Sequence, residues 1–144
     1  MQNNQAQTST KIKVRGYHLD LYGHVNNTRY LEFLEEARWN IKDLYFDLPA
    51  MRDQDLNLVV VNININYRDS ARLDDVLEIF TKVIRVGNKS VTLKQEIFFE
   101  NTQKTVADAE VTFVIYDKNI GKAIELAPEI RQQFRRLMTE NPPG

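Results

Sequence analysis

The chain has 144 residues, with 19 Lys and Arg against 20 Asp and Glu, a formal net charge of −1 and no cysteine. That length suits one domain that buries about 70% of its unfolded surface. Without cysteine there is no disulfide framework, no zinc–thiolate site and no cysteine nucleophile, and the balanced charge lacks the basic excess of a nucleic-acid protein.

No apolar run approaches the ~18 residues of a membrane span, and the polar opening MQNNQAQTST lacks an apolar signal region. The expectation is a cytoplasmic protein without membrane insertion. Residues 1–10 are expected to be a disordered tip and residues 11–140 a single domain.

Lys11 to Tyr17 is a short strand candidate, with Ile12 and Val14 alternating against Lys11, Lys13 and Arg15. A polar turn follows, carrying His18, Asp20, Gly23 and His24. Next comes an amphipathic helix pattern to about Lys42, in which Tyr30, Leu34, Ala37 and Ile41 recur at helical spacing. Asn26 or Asn27 is the N-cap, because an Asn side chain accepts from an orphan N–H of the first turn; the side chain of Asn27 reads as the cap. Trp39 shares a helix face with Glu32 and Glu36, which suggests a subunit contact. Asp43 to Asp55 has room for a short second helix.

Leu56 to Arg68 is the clearest strand. Simple alternation puts Val59, Val61, Ile63, Ile65 and Tyr67 on one face and Val60, Asn62, Asn64 and Asn66 on the other. Asn is a poor strand former, so this row is either a solvent face or a polar wall beside a partner or ligand. Strands follow over Val76–Val86, Ser90–Glu100 and Thr105–Tyr116, the last with Ala107, Ala109, Val111, Phe113 and Ile115 on one face. Ala127 to Glu140 is a final helix with Pro128 in its first turn. One long helix and several long strands joined by tight turns give an α+β architecture, an antiparallel sheet curled around the helix.

The pattern DxxxHVNNxxYLxxxExxR, from Asp20 to Arg38, resembles the hotdog-fold acyl-thioester hydrolases of the 4-hydroxybenzoyl-CoA thioesterase superfamily. VRGYHLD, HVNN, RYLEFLEEARW and VVVNININYR are most similar to its bacterial long-chain acyl-CoA thioesterases of fatty-acid degradation. The likeness runs from about Lys11 to Leu137. It implies a single hotdog domain and hydrolysis of medium- to long-chain acyl-CoA to free acid and CoA. It also implies a homodimer, or dimers paired into a homotetramer, with sites shared between subunits.

Residue by residue, the resemblance makes Asp20 the general base or nucleophile and Asn27 the source of the backbone N–H that faces the thioester carbonyl. His24 stands in the setting of a functional histidine of the plant acyl-carrier-protein thioesterases; Tyr22 replaces the asparagine found two residues after the aspartate in those enzymes. His18 stands where many relatives have a second aspartate. Tyr30 and Leu34 are core by pattern and potential walls of the acyl pocket. Glu35 reads as an i,i+3 partner of Arg38 or as a group that orients water. Arg68, Arg72 and Lys89 are basic side chains suited to the phosphates of CoA. Ser90 belongs to a Gly-x-x-Ser region that often reaches the site from a neighbouring subunit. His18, Asp20 and His24 match no metal-ligand spacing; neither metal nor cofactor is expected. The rival functions are an acyl-carrier-protein thioesterase, a hotdog hydratase and a non-enzymatic acyl-CoA binder.

Overall fold

The alternating segments of the chain's second half assemble into one antiparallel sheet. The computed structural model describes residues 8–140. In chain order the elements are β1 (Thr8–Lys13), α1 (Asn27–Tyr45), α2 (Leu48–Asp53), β2 (Leu56–Tyr67), β3 (Val76–Val86), β4 (Ser90–Phe99), β5 (Thr105–Asp117), β6 (Lys122–Ile124) and α3 (Pro128–Glu140). The strand order is β1-β3-β4-β5-β2, with β6 paired to the end of β5. Tight turns suffice for β3 to β5 because neighbours in sequence are neighbours in the sheet. Residues 1–7 of the expected disordered tip lie outside the described residues. Its last three, Thr8 to Thr10, open β1 and pair with Thr81, Phe80 and Ile79. The expected first strand therefore starts earlier than Lys11 and ends at Lys13; Gly16–His18 form a 3₁₀ turn instead.

Both long helices lie on one sheet face. Leu77 and Ile79 of β3, Ile97 of β4, and Ala107, Ala109 and Val111 of β5 form one apolar cluster with Tyr30, Phe33, Leu34 and Ala37 of α1. A second cluster joins Val83, Leu93, Phe113 and Ile115 to Phe134 and Leu137 of α3. The Phe134 ring lies 5.4 Å from Phe46 and 6.0 Å from Phe113. The long helix runs to Tyr45, beyond the expected Lys42, and α2 is capped by the Asp47 carboxylate, which accepts from the Ala50 N–H.

The faces of β2 differ from simple alternation. Val59 pairs with Val114, Val60 with Phe113, and then Asn62, not Val61, with Thr112. Val61 is a β-bulge, and one extra residue reverses the alternation. Leu58, Val60, Ile63, Ile65 and Tyr67 therefore stand on the helix side, opposite the inward row of β5. Val59 joins Asn62, Asn64 and Asn66 on the other face, opposite Val114, Thr112, Glu110 and Asp108. The expected grouping of Val59 and Val61 with Ile63 is thus corrected by the bulge.

Within the core sits a polar cluster that apolar periodicity does not reveal. Gln95, fully buried on β4, donates from Nε2 to the Leu34 carbonyl (3.1 Å) and to Thr81 Oγ1 (3.0 Å). Its Oε1 accepts from Arg38 Nη1 at 3.1 Å. Arg38 is itself buried, and burial lowers the proton affinity of its guanidinium. Replacing Gln95 by Leu preserves volume but orphans the Arg38 guanidinium and strips the Leu34 carbonyl and the Thr81 hydroxyl of a donor. Unpaired buried groups of this kind cost more than the net worth of their bonds. Urea unfolding at fixed protein concentration should record a loss of about 2–3 kcal/mol for Gln95→Leu; a loss below about 0.5 kcal/mol, the scale of an ordinary surface substitution, would mean that the cluster does not fasten the helix.

Candidate active site

The turn ahead of α1 is a miniature hairpin. Leu19 and Val25 form its ladder, the Asp20 N–H donates to the His24 carbonyl (2.8 Å), and the Gly23 N–H donates to the Asp20 carbonyl (3.1 Å). Gly23 has φ +78°, the left-handed conformation that closes such a loop with a bulge. The space around Gly23 is open, so its need there is conformational rather than steric. The Asn26 N–H reaches back to the His18 carbonyl and the Val25 N–H crosses to the Ala71 carbonyl, both at 2.9 Å. Residues 18–20 are thereby held alongside residues 24–26, at the very start of α1.

Asp20 is half-buried, and its Oδ1 accepts from the backbone N–H groups of Tyr22 (2.8 Å) and His24 (3.3 Å). This is an Asx-turn, the structural role an aspartate commonly takes ahead of a helix. It uses one carboxylate oxygen; Oδ2 has no hydrogen bond among the described residues. The side chain is thus oriented by the turn with one acceptor left over. The His24 imidazole, partly exposed on the same turn, also has no hydrogen-bond partner among the described residues.

Asn26, not Asn27, is the N-cap: its Oδ1 accepts from the Thr28 N–H at 3.0 Å and from the Thr28 hydroxyl at 2.9 Å. The Arg29 N–H is taken by the Asn26 carbonyl. That leaves the Asn27 N–H as the first-turn donor without an acceptor among the described residues, at the positive end of a 19-residue helix. The Asn27 carbonyl accepts from the Tyr67 hydroxyl at 3.2 Å, which ties the helix start to the end of β2. Tyr67 escaped the sequence reading as a site residue. Its signal was present only as an aromatic closing a strand.

The other expected site residues divide. Tyr30 is buried, its hydroxyl accepts from the Ala71 N–H (3.2 Å), and its ring lies 5.7 Å from Tyr67. Leu34 is core, a full turn further along. Glu35 is exposed and forms no ion pair with Arg38; the i,i+3 pair of this helix is Arg29–Glu32 at 2.9 Å. Arg68 adjoins Tyr67 but is engaged by Asp108, Nε to Oδ2 at 2.8 Å. Ser90 is not brought to the turn within one chain. It pairs with Val114, whose neighbour on β2 is Val59, and so sits at the end of the sheet opposite Tyr67.

His18 is a buried, structural histidine. Its Nδ1 accepts from the Arg15 N–H at 2.9 Å, and its ring packs edge-on against Phe33 at 4.9 Å. An Nδ1 acceptor requires the proton on Nε2 in the neutral ring. Burial first, and the Arg29 charge second, lower its pKa from 6.5.

The geometry defines a class: a hotdog sheet on which a turn-borne carboxylate with a spare oxygen stands beside a free helix N-terminus. A thioesterase-like superfamily model matches residues 14–134. The chain is 47% identical over 129 residues to the long-chain acyl-CoA thioesterase FadM of Escherichia coli (strain K12), covering 90% of this chain and 98% of that protein. It is 30% identical to the acyl-CoA thioesterase YbgC of Haemophilus influenzae, over 90% of this chain and 95% of the relative. The crystal structure of the probable thioesterase YbaW from Escherichia coli superposes with a TM-score of 0.81 at 47% identity, covering 90% of this chain and 97% of that one. The chain belongs to the thioesterase-like superfamily.

The His18 environment sets a pH dependence. A depressed folded pKa means that the unfolded chain takes up the proton first, so the contribution is complete above pH 6.5 and lost as pH falls through the folded value. Thermal midpoints should therefore decline below pH 6.5, before the carboxylate range is reached. His18→Asn, which keeps an acceptor near the Nδ1 position without titrating, should flatten that decline; an unchanged slope would assign it to other groups.

Proposed function

We propose that this protein hydrolyses long-chain acyl-CoA thioesters. The reading is carried by one observation: the Asp20 carboxylate is oriented through Oδ1, on a turn laced to the start of α1, and among the described residues neither Asp20 Oδ2 nor the Asn27 N–H has a partner. Asp20 takes the proton of a water that attacks the thioester carbon, and the Asn27 N–H donates to the oxyanion. Collapse of the tetrahedral intermediate breaks the C–S bond, releasing the acid and the CoA thiolate, which recovers the proton. One such N–H donor is worth about 2.7–4 kcal/mol where tested. Direct attack by Asp20 is the nucleophilic variant of the same geometry. His24, with its imidazole free, orients or assists.

Long acyl chains are favoured in this reading by the likeness to the Escherichia coli long-chain enzyme and by the helix side of β2. Tyr67, Ile63 and Val60 form an exposed row leading from the Asn27 end toward Leu58. From Asn27 to Ile41 is about 21 Å of helix. The apolar cleft beyond, among Ile41, Phe46, Leu58, Leu93 and Phe113, measures about 20 Å³, room for little more than one water. The chain would accordingly lie along the open row rather than inside that cleft. Tyr30 is read as a wall of the near end, Leu34 and Glu35 as flanking the row, and Arg68 as a basic side chain at the mouth.

A second copy completes the site in this reading. β2 is a 12-residue sheet edge without a charged residue, proline or glycine, whereas the other edge, β1, carries Lys11 and Lys13. Unguarded edges of this length invite another strand. A two-fold copy paired antiparallel along β2 carries its own Ser90 end toward the Asp20–Asn27 end of the first, which supports a role for Ser90 in trans. The proposal is a homodimer, free to pair into a tetramer. We place it in the cytoplasm, where CoA thioesters are substrates; among the described residues no helix is long and apolar enough to cross a membrane.

Asp20→Asn retains the Oδ1 acceptor of the turn but cannot take a proton. Turnover should fall by roughly 10²–10⁴ while the melting point and binding of a non-hydrolysable acyl-CoA analogue persist; full activity would remove the centre of this reading. Across an acyl-CoA series, kcat/KM should rise with chain length, by up to about 0.8 kcal/mol of binding per buried methylene. A maximum at acetyl-CoA or at an aromatic acyl-CoA would contradict the long-chain assignment.

A further inference from the structure

The exposed row of β2 ends against two cations. Arg38 and Lys42 stand one turn apart on a stripe of α1 that faces Leu58 and Val60 across the cleft. Arg38 is 7% exposed, and its Nη1 donates to Gln95 Oε1, a neutral acceptor, at 3.1 Å. Among the described residues its buried Nε has no partner and its Nη2 forms no hydrogen bond. Nε and Nη2 make up a side of the guanidinium fork that takes both oxygens of a carboxylate, and here that side is unfilled. Lys42 holds its ammonium 4.7 Å above the Trp39 ring and pairs with no carboxylate among the described residues. Burial lowers the proton affinity of both cations; the Arg38 charge adds to the effect at Lys42, and Glu35 opposes it at each without bonding to either. Partly buried cations without a paired carboxylate are costly.

Such an end suits a hydrocarbon badly. A methyl group arriving there displaces water from the cations and supplies no acceptor in its place. A carboxylate supplies both the charge and the acceptors that the two side chains lack. The spacing sets which chains can deliver one. From Asn27 to Arg38 is about 16 Å of helix, comparable with an extended tetradecanoyl chain built from C–C bonds of about 1.5 Å. The cleft lined by Arg38 and Lys42 measures about 20 Å³, which admits an oxygen but not a chain. The methylenes therefore stay on the row of Tyr67, Ile63 and Val60, and only a polar end turns in. We propose that Arg38 and Lys42 form a carboxylate site at the far end of this row, and that the substrates of this protein include long acyl-CoA thioesters carrying a second carboxylate on the distal carbon. The inference rests on the long-chain reading and deepens it by naming the chemistry of the chain end. It is selective for length, because a short dicarboxylic acyl group leaves its charge on the apolar row, out of reach of both cations.

The test compares kcat/KM within two matched pairs: tetradecanedioyl-CoA against tetradecanoyl-CoA, and hexanedioyl-CoA against hexanoyl-CoA. The long pair should favour the dicarboxylic member by about tenfold, the scale of one hydrogen bond to a charged group. The short pair should favour the methyl-ended member. Lys42→Met keeps an apolar stem without the charge and lies off the Gln95 cluster; it should remove the advantage in the long pair and leave the short-pair ratio where it was. Arg38→Lys keeps a cation but loses the fork, and should lower the long-pair ratio too. The reacting carbon is the same within each pair, so a ratio that moves reports the chain end and not the thioester chemistry. A wild-type protein that hydrolyses tetradecanoyl-CoA as well as or better than tetradecanedioyl-CoA, or a ratio that Lys42→Met leaves unmoved, would overturn this inference and leave the long-chain reading standing. A protein that hydrolyses none of the four thioesters would overturn that reading as well.

Discussion

The side-chain amide of Gln95 is the fastening on which the geometry of this protein depends. From the middle of the sheet it bonds the Leu34 carbonyl and the Arg38 guanidinium of α1, and Thr81 on the neighbouring strand. Apolar packing holds a helix near a sheet but is non-directional. A buried amide bonded at both ends is directional, and each misalignment leaves a polar group without a partner. It therefore sets the rotation of α1 about its own axis. Two things follow from that rotation: where the free N–H groups of the first turn lie, and which stripe borders the exposed edge of β2.

At the N-terminal end the consequence is chemical. The turn from His18 to Asn26 is laced to the helix start by backbone bonds, and Asp20 is oriented by two N–H groups through one oxygen only. An Asx-turn and a catalytic carboxylate are usually weighed as rivals; in the reading proposed for Asp20 the first prepares the second, since orientation and a spare oxygen come from the same two bonds. Tyr67 ties the helix start to the far strand, so the Asn27 end of α1 and the helix-side row of β2 share one anchor. Preorganised donors of this kind stabilise developing charge without reorganising when it appears.

Along the side of the molecule the consequence is incompleteness. Among the described residues, one chain leaves β2 unpaired on one side, Arg38 without a carboxylate partner, and Ser90 far from the turn that the sequence pattern associates with it. In the proposed pairing of copies along β2, a two-fold operation covers the edge and carries the partner's Ser90 end toward the turn. The Val61 bulge matters to that surface because it transfers Val59 to the Asn face and leaves Val60 beside the helix.

The sequence by itself determined much. Strand and helix periodicity located α1, β3, β5 and the inward row from Ala107 to Ile115, because alternation and helical spacing are local properties read from neighbours in the chain. The turn chemistry of Asp20, Gly23 and the asparagines was legible for the same reason, apart from the choice of cap, which fell to Asn26 by one residue. What only the tertiary structure decided depends on partners remote in sequence. Gln95 and Arg38 lie 57 residues apart, and Tyr67 and Asn27 lie 40 apart. The faces of β2 were misassigned because a bulge is defined by the strand opposite, not by the strand that carries it. Spacing offered Arg38 as a partner for Glu35, beside a role in orienting water, yet the guanidinium turns inward to a buried amide that no local pattern announces.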